Sequence, residues 1–234
     1  MSEERIKQLL TGGQMEILGL LPYASNATLL ARIEDDDLSG LAVYKPRRGE
    51  RPLWDFPSGT LCLREYAACV VDRALGWNLV PPTVLREGPA GFGAVQLFVD
   101  EDESADPRVL LATRPDDLRR IAAFDVVINN ADRKAGHLLV DTAGRLWSVD
   151  HGVCFHDEPK LRTVIWAFEG EPIPDDYLGG IERLRSCEVT FDELRELLDG
   201  TEVDALCRRI DHMLRVRRYP SPDPGRHHVP WPPW

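Results

Sequence analysis

Short apolar runs separated by polar turns dominate the first part of the chain. Residues 27–33 (ATLLARI) and 40–44 (GLAVY) flank the acidic turn 34–39. Two apolar runs of this length around a polar turn predict the antiparallel strands of a β-hairpin. Residues 93–99 (GAVQLFV) form another apolar run and predict a further strand, which the acidic residues 100–103 close.

A helical spacing lies between these strands. Pro57 and Ser58 precede apolar residues spaced three and four apart, and Gly76 follows the last of them. This pattern predicts a helix that ends at Gly76, because glycine favours the left-handed C-terminal position and the prolines at 81 and 82 prevent continuation. The apolar stripe consists of Leu63, Ala67, Val70, Val71 and Ala74.

The second half of the chain is predicted to be mostly helical. A helix opens at Pro115, whose two following aspartates favour its positive N-terminal end. Two short strands are expected near 138–140 and 146–149, joined by the turn 141–144. The apolar stripe of the helix consists of Leu118, Ile121, Ala122 and Val126.

Two more helices are expected towards the end of this half. Thr190 and Glu193 have the spacing of a capping box, which predicts a short helix that Gly200 ends. Thr201 then opens a helix with an apolar face. That face consists of Val203, Leu206, Ile210, Met213 and Leu214.

This distribution predicts an α+β protein with two lobes. We expect a strand-rich N-lobe over 1–100, a mostly helical C-lobe over 101–219 and a ligand in the cleft between them. The remaining residues, 220–234, hold six of the 18 prolines and predict an extended C-terminal tail. Its two tryptophans, Trp231 and Trp234, are expected to dock the tail on its own domain.

Composition and charge exclude or disfavour several classes of protein. Hydrophobic residues make up 43% and charged residues 29% of the 234 residues, which excludes a mainly disordered chain. The formal net charge of −11 disfavours nucleic acid and anionic membranes as partners. Five cysteines without a CxxC pair indicate neither a disulfide framework nor a zinc site. With no long apolar run and a polar start, the sequence predicts a cytoplasmic protein without stable membrane association.

Four pieces of the chain follow each other in an order that suits phosphoryl transfer. Lys45 ends the apolar strand LAVYK, where its cation can neutralise nucleotide phosphates, and Glu65 on the next helix can orient it. In 129–133 (NNADR), Asp132 can orient a hydroxyl nucleophile while Arg133 stabilises developing charge. Asp150 closes a strand just before His151 and Gly152, a position suited to magnesium that bridges phosphates.

Each piece also has a simpler interpretation when taken alone. Lys45 and Glu65 read as ordinary surface charges, and residues 129–133 as a polar turn. Asp150 reads as the first residue of a type I turn. The order of the four pieces and the 18 residues from Asp132 to Asp150, with a hairpin between them, favour the joint interpretation.

These segments resemble the phosphatidylinositol 3-/4-kinase-like family. The likeness runs from about Gly19 to about Phe155 and is strongest in 63–68 (LREYAA), 130–133 (NADR) and 149–152 (VDHG). Compact bacterial members and type II phosphatidylinositol 4-kinases are the most similar, and HipA-type kinases are more distant.

The resemblance implies a protein-kinase-like fold that binds ATP and magnesium. It implies that Lys45 is the strand lysine, Glu65 the helix acid, Asp132 the catalytic-loop aspartate and Asp150 the metal-binding aspartate. The adenine-contacting hinge would be Gln96, Leu97, Phe98 and Val99. The phosphate loop would be 23–28 (YASNAT), with Ser25, Asn26 and Thr28 offering polar groups; from its residues alone this stretch reads as a plain β-turn.

His137 departs from the pattern of related kinases, which have asparagine there as a second metal ligand. Neutral imidazole is a poor ligand for magnesium, which prefers oxygen donors. The order of the four pieces and the resemblance together predict transfer of phosphate from ATP to a protein hydroxyl or a small molecule. A nucleotide-binding pseudokinase or scaffold and a nucleotidyl (AMP) transferase remain as alternatives. The sequence does not identify the acceptor.

Overall fold

A computed structural model of the protein describes residues 2–22, 26–102 and 104–233. Its helices are α1 Glu3–Gly12, α2 Leu61–Leu75, α3 Pro107–Thr113, α4 Pro115–Ile128, α5 Asp175–Ser186, α6 Glu188–Arg195 and α7 Gly200–Val216. Its strands are β1 Gln14–Leu20, β2 Leu29–Glu34, β3 Ser39–Pro46, β4 Thr83–Gly88, β5 Gly91–Leu97, β6 Leu138–Val140 and β7 Leu146–Ser148. Short 3-10 turns cover Arg47–Gly49 and Ala135–His137.

An antiparallel five-stranded sheet in the order β1-β2-β3-β5-β4 forms the first lobe. The predicted hairpin is confirmed as β2 and β3, which pair from Leu29 opposite Tyr44 to Glu34 opposite Ser39. Side chains alternate across β3, so Ala42 and Tyr44 are buried in the sheet's own core while Lys45 points to the other face. Helix α1 covers that core by contributing Leu9 and Leu10. The alternation of β3 is therefore what directs Lys45 away from this core.

Helix α2 lies between the sheet and the helical lobe and is buried along most of its length. It ends as predicted, because Gly76 takes a left-handed φ of 69° and its N–H donates back to the last turn. Charged residues are buried along with the apolar ones, and Arg64 and Glu65 are only 1% and 3% exposed. A buried charge needs a partner, so the position of α2 already points to ion pairs between the lobes.

The second lobe is built from helices around the small hairpin β6–β7. Its core joins α2 to α4, α5 and α7 through residues such as Val71, Phe124, Ile181 and Leu206. The predicted helix from Pro115 and the two predicted strands are confirmed. The whole is a bilobal α+β fold, as the sequence predicted, while the limits drawn at residues 100 and 219 stay a prediction.

The predicted capping box at Thr190 is wrong. Helix α6 already begins at Glu188, so Thr190 lies inside it, and Gly200 does not end that helix but starts α7. The capping box belongs to Asp199 and Glu202: the Asp199 carboxylate accepts from the N–H of Thr201 at 2.9 Å, and Glu202 accepts from the N–H of Asp199 at 3.1 Å. Residues 186–202 contain several side chains that could cap a helix, so the local sequence did not show which of them begins one.

The segment after Tyr219 packs on the protein, but not through Trp231. That side chain is 87% exposed, which contradicts the expected docking role, while the neighbouring Pro230 is buried. Trp234 lies outside the described residues. None of the helices in the described ranges is long and apolar enough to cross a membrane.

Candidate active site

Lys45, Glu65 and Asp150 meet between the lobes, although they come from three distant parts of the chain. The Lys45 ammonium donates to Oε1 of Glu65 and, at 3.0 Å, to Oδ1 of Asp150. The other oxygen of Glu65 accepts from the backbone N–H of His151 at 3.0 Å. Glu65 thus holds both the lysine and the loop that carries Asp150. The structure brings together three of the residues that the sequence singled out.

The backbone after β7 is shaped for this close approach. Asp150 has a left-handed φ of 61°, which a non-glycine residue adopts only when its surroundings hold it there. At Gly152, a Cβ atom would lie 3.4 Å from Glu65 Oε1 and 3.5 Å from Leu61 Cβ. Both distances are ordinary van der Waals contacts, so Gly152 shows how closely this loop lies against α2 and not that glycine is required there. The side chain of Asp150 remains about half exposed and faces open space between the lobes.

Charge pairing sets the protonation states of these groups. Burial opposes the charge of Lys45, but the carboxylates of Asp150 and Glu65 outweigh it and raise the pKa of the ammonium above its usual range. The Lys45 cation in turn lowers the pKa of Asp150 well below its ordinary value. Burial raises the pKa of Glu65, an effect that the lysine partly offsets. Lys45 and Asp150 are therefore both charged at neutral pH.

Asp132 lies on the loop after α4 and is one-third exposed. Its carboxylate contacts Lys134 Nζ at 3.1 Å, and burial raises its pKa above the ordinary value. Two asparagines shape this loop. Asn129 ends α4 with a left-handed φ of 52°, and the side chain of Asn130 accepts from the N–H of Asp132 at 3.0 Å. The backbone that presents Asp132 is thus fixed by its own neighbours in sequence.

Arg133 does not reach the cleft, which corrects its predicted catalytic role. Its side chain is 0% exposed and forms an ion pair with Asp125 of α4, also 0% exposed, at 3.0 Å. The guanidinium also donates to the carbonyl of Val149 at 2.9 Å and lies 2.9 Å from Nε2 of His151. Arg133 therefore ties the loop of Asp132 to the loop of Asp150. These are the contacts of a residue that supports both loops, and its side chain has no exposed surface to offer to a substrate.

His137 lies beside Asp150, with Nε2 3.3 Å from Oδ2. Burial lowers the pKa of the imidazole to about 4, although the carboxylate of Asp150 works against this shift. The ring is therefore neutral at physiological pH and would not bind a phosphate as a cation. Neutral imidazole beside a carboxylate also does not make a strong magnesium ligand.

Several hydrogen-bonding groups of the predicted hinge, residues 96–99, already have partners within the protein. The side chain of Gln96 is buried and donates to the Thr83 hydroxyl at 2.9 Å. The backbone N–H of Leu97 donates to Pro82, and that of Phe98 donates to Leu41. A ligand would therefore have to use the N–H of Val99 or carbonyl oxygens of this segment.

The predicted phosphate loop is described only from Asn26 onwards, and Ser25 lies outside the described residues. The Asn26 side chain accepts from the N–H of Arg51 at 2.8 Å, and Thr28 is buried. The N–H of Ala27 donates to the carbonyl of Gly49. These contacts close the turn against the segment after β3, so the side chains of Asn26 and Thr28 are already committed to the protein.

The sequence did not reveal the buried charged residues that hold the loops of the site in place. Asp125 holds Arg133, and Arg64 donates from α2 to the carbonyl of Cys154 at 2.7 Å and to Glu202 at 2.7 Å. The available signal was an ionisable residue inside an apolar helical run, as with Asp125 in IAAFDVVI. Such a residue is buried only if a partner arrives from elsewhere, and the chain order does not show which one.

The donor set fits a magnesium ion that is shared with phosphates. Among the described residues, no group of three or more His, Cys, Asp or Glu side chains is arranged to hold a metal by itself. Magnesium is usually bound by only one or two carboxylates, with phosphate and water oxygens completing its shell. The charged, half-exposed carboxylate of Asp150 satisfies that requirement.

This fold and this arrangement define a kinase-like protein. The Helicobacter pylori proinflammatory kinase CtkA has a similar fold, with a TM-score of 0.54 over 90% of this chain and 94% of that one, at 12% sequence identity. The chain is also distantly similar to the rice (Oryza sativa subsp. japonica) phosphatidylinositol 4-kinase gamma 4. The two are 32% identical over 47% of this chain, and the match spans 23% of the plant protein.

Protein Rv2133c of Mycobacterium tuberculosis shares nearly its whole length with this chain. The two are 40% identical, and the alignment covers 96% of this chain and 94% of that protein. The chain belongs to the same family as Protein Rv2133c. No protein-family model matches it. The predicted resemblance is thus confirmed as a distant relationship to kinases, and the specific phosphatidylinositol 3-/4-kinase-like assignment stays a prediction.

Proposed function

We propose that this protein is an ATP-dependent phosphotransferase that binds magnesium-ATP between its lobes and acts on a protein hydroxyl or a small molecule. One observation carries the proposal: Lys45, Glu65 and Asp150 converge from a strand, a helix and a loop into one charge-paired cluster. Surface charges that met by chance would not include an acid as deeply buried as Glu65. The kinase-like fold and the kinase-named relatives support the same class of activity.

Each residue of the cluster has a distinct part in this proposal. Lys45 offers a fixed positive charge to the phosphates, and Glu65 sets its direction from the buried side. Asp132 accepts a hydrogen bond from the acceptor hydroxyl and orients it towards the phosphate. Lys134, 3.1 Å from that carboxylate, limits the repulsion between Asp132 and an anionic nucleotide.

Asp150 is the residue that would hold magnesium. The ion, when bound, supplies positive charge that neutralises the phosphate oxygens. One oxygen of Asp150 contacts Lys45 and the other lies near His137, so both face the same space as the ammonium. Without a nucleotide, the Lys45 cation is paired with the two carboxylates, and Lys45 and Asp150 are both placed to meet one.

The test compares Asp150→Ala with Asp132→Ala. We expect Asp150→Ala to abolish the magnesium-dependent rise in melting temperature that ATP causes in the parent. Ligand at 100 times its dissociation constant should stabilise the parent by about 2.7 kcal/mol. Asp132→Ala should keep that rise and lose transfer of label from γ-labelled ATP, because it orients the acceptor and not the nucleotide. Equal loss of ATP binding in both variants would contradict the division of roles.

A nucleotide-binding pseudokinase is the second candidate, and the position of His137 favours it. A neutral imidazole occupies the place of the second magnesium ligand and contacts the first. Label transfer decides between the possibilities. Transfer from γ-labelled ATP supports the phosphotransferase, transfer only from α-labelled ATP supports nucleotidyl transfer, and ATP-dependent stabilisation without either label supports the pseudokinase.

A further inference from the structure

Residues 226–233 run beside the loop that carries Asp132. The carbonyl of His228 accepts from the backbone N–H of Thr163 at 3.0 Å and from the indole Nε1 of Trp166 at 2.9 Å. Five residues further on, the carbonyl of Pro233 accepts from the N–H of Ala135 at 2.9 Å. We name this segment the strap. It therefore spans from the segment after Asp150 to the loop that carries Asp132.

The strap is within reach of the proposed acceptor position. Ala135 is three residues from Asp132, so their Cα atoms are separated by about 11 Å at most. Thr163 forms a β-bridge with Arg133, the residue next to Asp132. The strap therefore contacts residues that neighbour Asp132 in sequence on the loop that carries it.

Three contacts run from N–H groups of the protein to carbonyl oxygens of the strap, and one runs the other way, from Arg226 of the strap to the carbonyl of Pro159. Ala135, Thr163 and Trp166 supply the three N–H groups, and the acceptors are the carbonyls of His228 and Pro233. Three residues of the strap are prolines and have no N–H to donate in return. Removing the strap leaves these three donors without partners, which water or the carbonyls of another extended chain must then supply.

The rest of the strap suggests an occupant that can leave. Pro230 is buried, but Trp231 beside it is 87% exposed and Val229 is 42% exposed. The one ion pair of the described strap residues, Arg226 with Asp223 at 3.4 Å, joins it to its own neighbouring residues and not to the protein beneath. An open cavity of about 520 Å³ borders the strap, and its lining includes Arg162, Trp166, Arg226 and His228. The strap is therefore not closely packed along its whole length.

We propose that this groove is a peptide-binding site whose ligand is an extended, proline-containing segment, and that the strap is its resident occupant. The groove consists of Ala135, Thr163, Trp166 and the neighbouring carbonyl of Pro159, which accepts from Arg226 at 2.7 Å. A second peptide enters when the strap leaves. In the proposed phosphotransferase, that peptide is part of a protein acceptor; this step alone rests on the proposed function.

The first test removes the strap and returns it as a separate peptide. A chain that ends at residue 224 is titrated with a fluorescent peptide of residues 225–234, and the intact chain is titrated in parallel. A tethered occupant competes at an effective concentration of order mM, so we expect binding to the intact chain to be weaker by about tenfold or more. Equal binding to both chains, or binding to neither, overturns the proposal.

Peptide variants show whether binding uses the contacts described. A peptide with Pro230→Asp places a charge where the buried proline lies and should bind the shortened chain poorly. A peptide with Trp231→Ala is the matched control and should bind as the unaltered peptide does, because that side chain is exposed. If Trp231→Ala weakens binding more than Pro230→Asp, the observed orientation of the strap is not the one that recognises the groove.

A second experiment, amide hydrogen exchange, uses the intact chain and so does not depend on whether the shortened chain folds. In the intact protein with Pro230→Asp, the amides of Ala135 and Thr163 should exchange faster than in the parent. The amide of Phe155, which donates to Ile128 away from the strap, should stay protected if the fold is intact. Unchanged protection of Ala135 and Thr163, with Phe155 also unchanged, overturns the proposal.

The acceptor step is tested with dephosphorylated casein as the protein substrate. The shortened chain should transfer γ-phosphate to casein several-fold faster than the intact chain, with the same ATP-dependent rise in melting temperature. An unchanged rate overturns the acceptor role of the groove. Peptide binding without any transfer, by either chain and in the presence of bound ATP, counts against the proposed function and leaves the groove standing.

Discussion

At the scale of single residues, the interior of this protein holds charges that work in pairs. Arg133 and Asp125 are fully buried together, and the arginine also bonds to the carbonyl of Val149. Removing one member of such a pair leaves an uncompensated charge in a place that water does not reach. The residue next to Asp132 therefore supports the site through the fold and not through contact with a substrate.

We expect Arg133→Met to lower the free energy of unfolding by about 3–5 kcal/mol, because Asp125 loses its partner. The double variant Arg133→Met with Asp125→Leu should recover a large part of that loss, since it removes both charges. Urea unfolding of the parent and both variants measures the difference. An Arg133→Met protein as stable as the parent would contradict the supporting role that the buried pair gives this residue.

His137 gives a prediction about pH. With a pKa of about 4 it stays neutral, so its titration should not shape transfer between about pH 5.5 and 8, around the ordinary histidine pKa. His137→Asn supplies an oxygen ligand and should preserve or raise the transfer rate without changing the pH profile. Rates at several magnesium concentrations provide the measurement. A parent activity that falls through about pH 6.5, and is flattened by the substitution, would show that the imidazole acts as a cation.

At the scale of elements, helix α2 connects to β4 through a buried carboxylate. Asp72 is 3% exposed, and its Oδ2 accepts from the N–H groups of Leu79 and Val80 at 2.8 and 3.0 Å. Oδ1 has no hydrogen-bond partner among the described residues. Burial raises the pKa of Asp72 to about 6. The carboxyl group that holds this turn is therefore protonated more readily in the folded protein than in the unfolded chain.

The sign of the pH dependence follows from this shift. Between the unfolded value of about 3.9 and the folded value of about 6, the folded state binds more protons, so this group's contribution to stability falls as pH rises. About 3 kcal/mol is at stake for a shift of this size. Asp72→Asn keeps an oxygen for both N–H groups and removes the charge.

We expect Asp72→Asn to be more stable than the parent at pH 7.5 and no more stable at pH 4, with a gain of about 1–3 kcal/mol at the higher pH. Asp36→Asn, in the exposed turn between β2 and β3, is the matched control and should show no such trend. Chemical denaturation across this pH range measures both. A variant that is less stable than the parent at every pH would mean that the ionised carboxylate itself holds the turn.

At the scale of the whole molecule, Arg64 connects the two lobes. It extends from α2 to Glu202 at the start of α7 and to the carbonyl of Cys154, just after the loop of Asp150. Glu202 also caps α7 through its second oxygen. Because Glu65 is the next residue on α2, the same contacts that join the lobes also fix the direction of the Lys45 partner.

Arg64→Met should therefore lower the free energy of unfolding by about 3–5 kcal/mol, the range for breaking a buried pair. On the same helix, Arg73 pairs with Glu193 at 2.6 Å but is 42% exposed. Arg73→Met is the matched control and should cost about 0–1 kcal/mol, since surface pairs contribute little. Thermal unfolding of the two variants makes the comparison, and similar losses would show that Arg64 does not bear the lobe contact.

The sequence by itself determined the features that depend on neighbours along the chain. Two apolar runs around an acidic turn predicted β2 and β3, and Gly76 followed by two prolines predicted the end of α2. The order of Lys45, Glu65, Asp132 and Asp150 predicted a kinase-like arrangement. Helices α1, α3 and α5 and strands β1 and β4 were missed. Strand β1 is a largely exposed edge strand without clear alternation, and α1 begins in a polar, charged run.

Only the tertiary structure decided which charged groups are buried and what they meet. Arg133 and Asp132 are adjacent in sequence, yet one is sealed against Asp125 and the other faces the cleft. In the C-terminal segment, Trp231 was expected to be buried but is exposed, and the neighbouring Pro230 is buried instead. The physical reason is the separation along the chain of the residues that interact. Secondary structure follows from interactions a few residues apart. The cost of burying a charge depends on partners that come from distant parts of the chain.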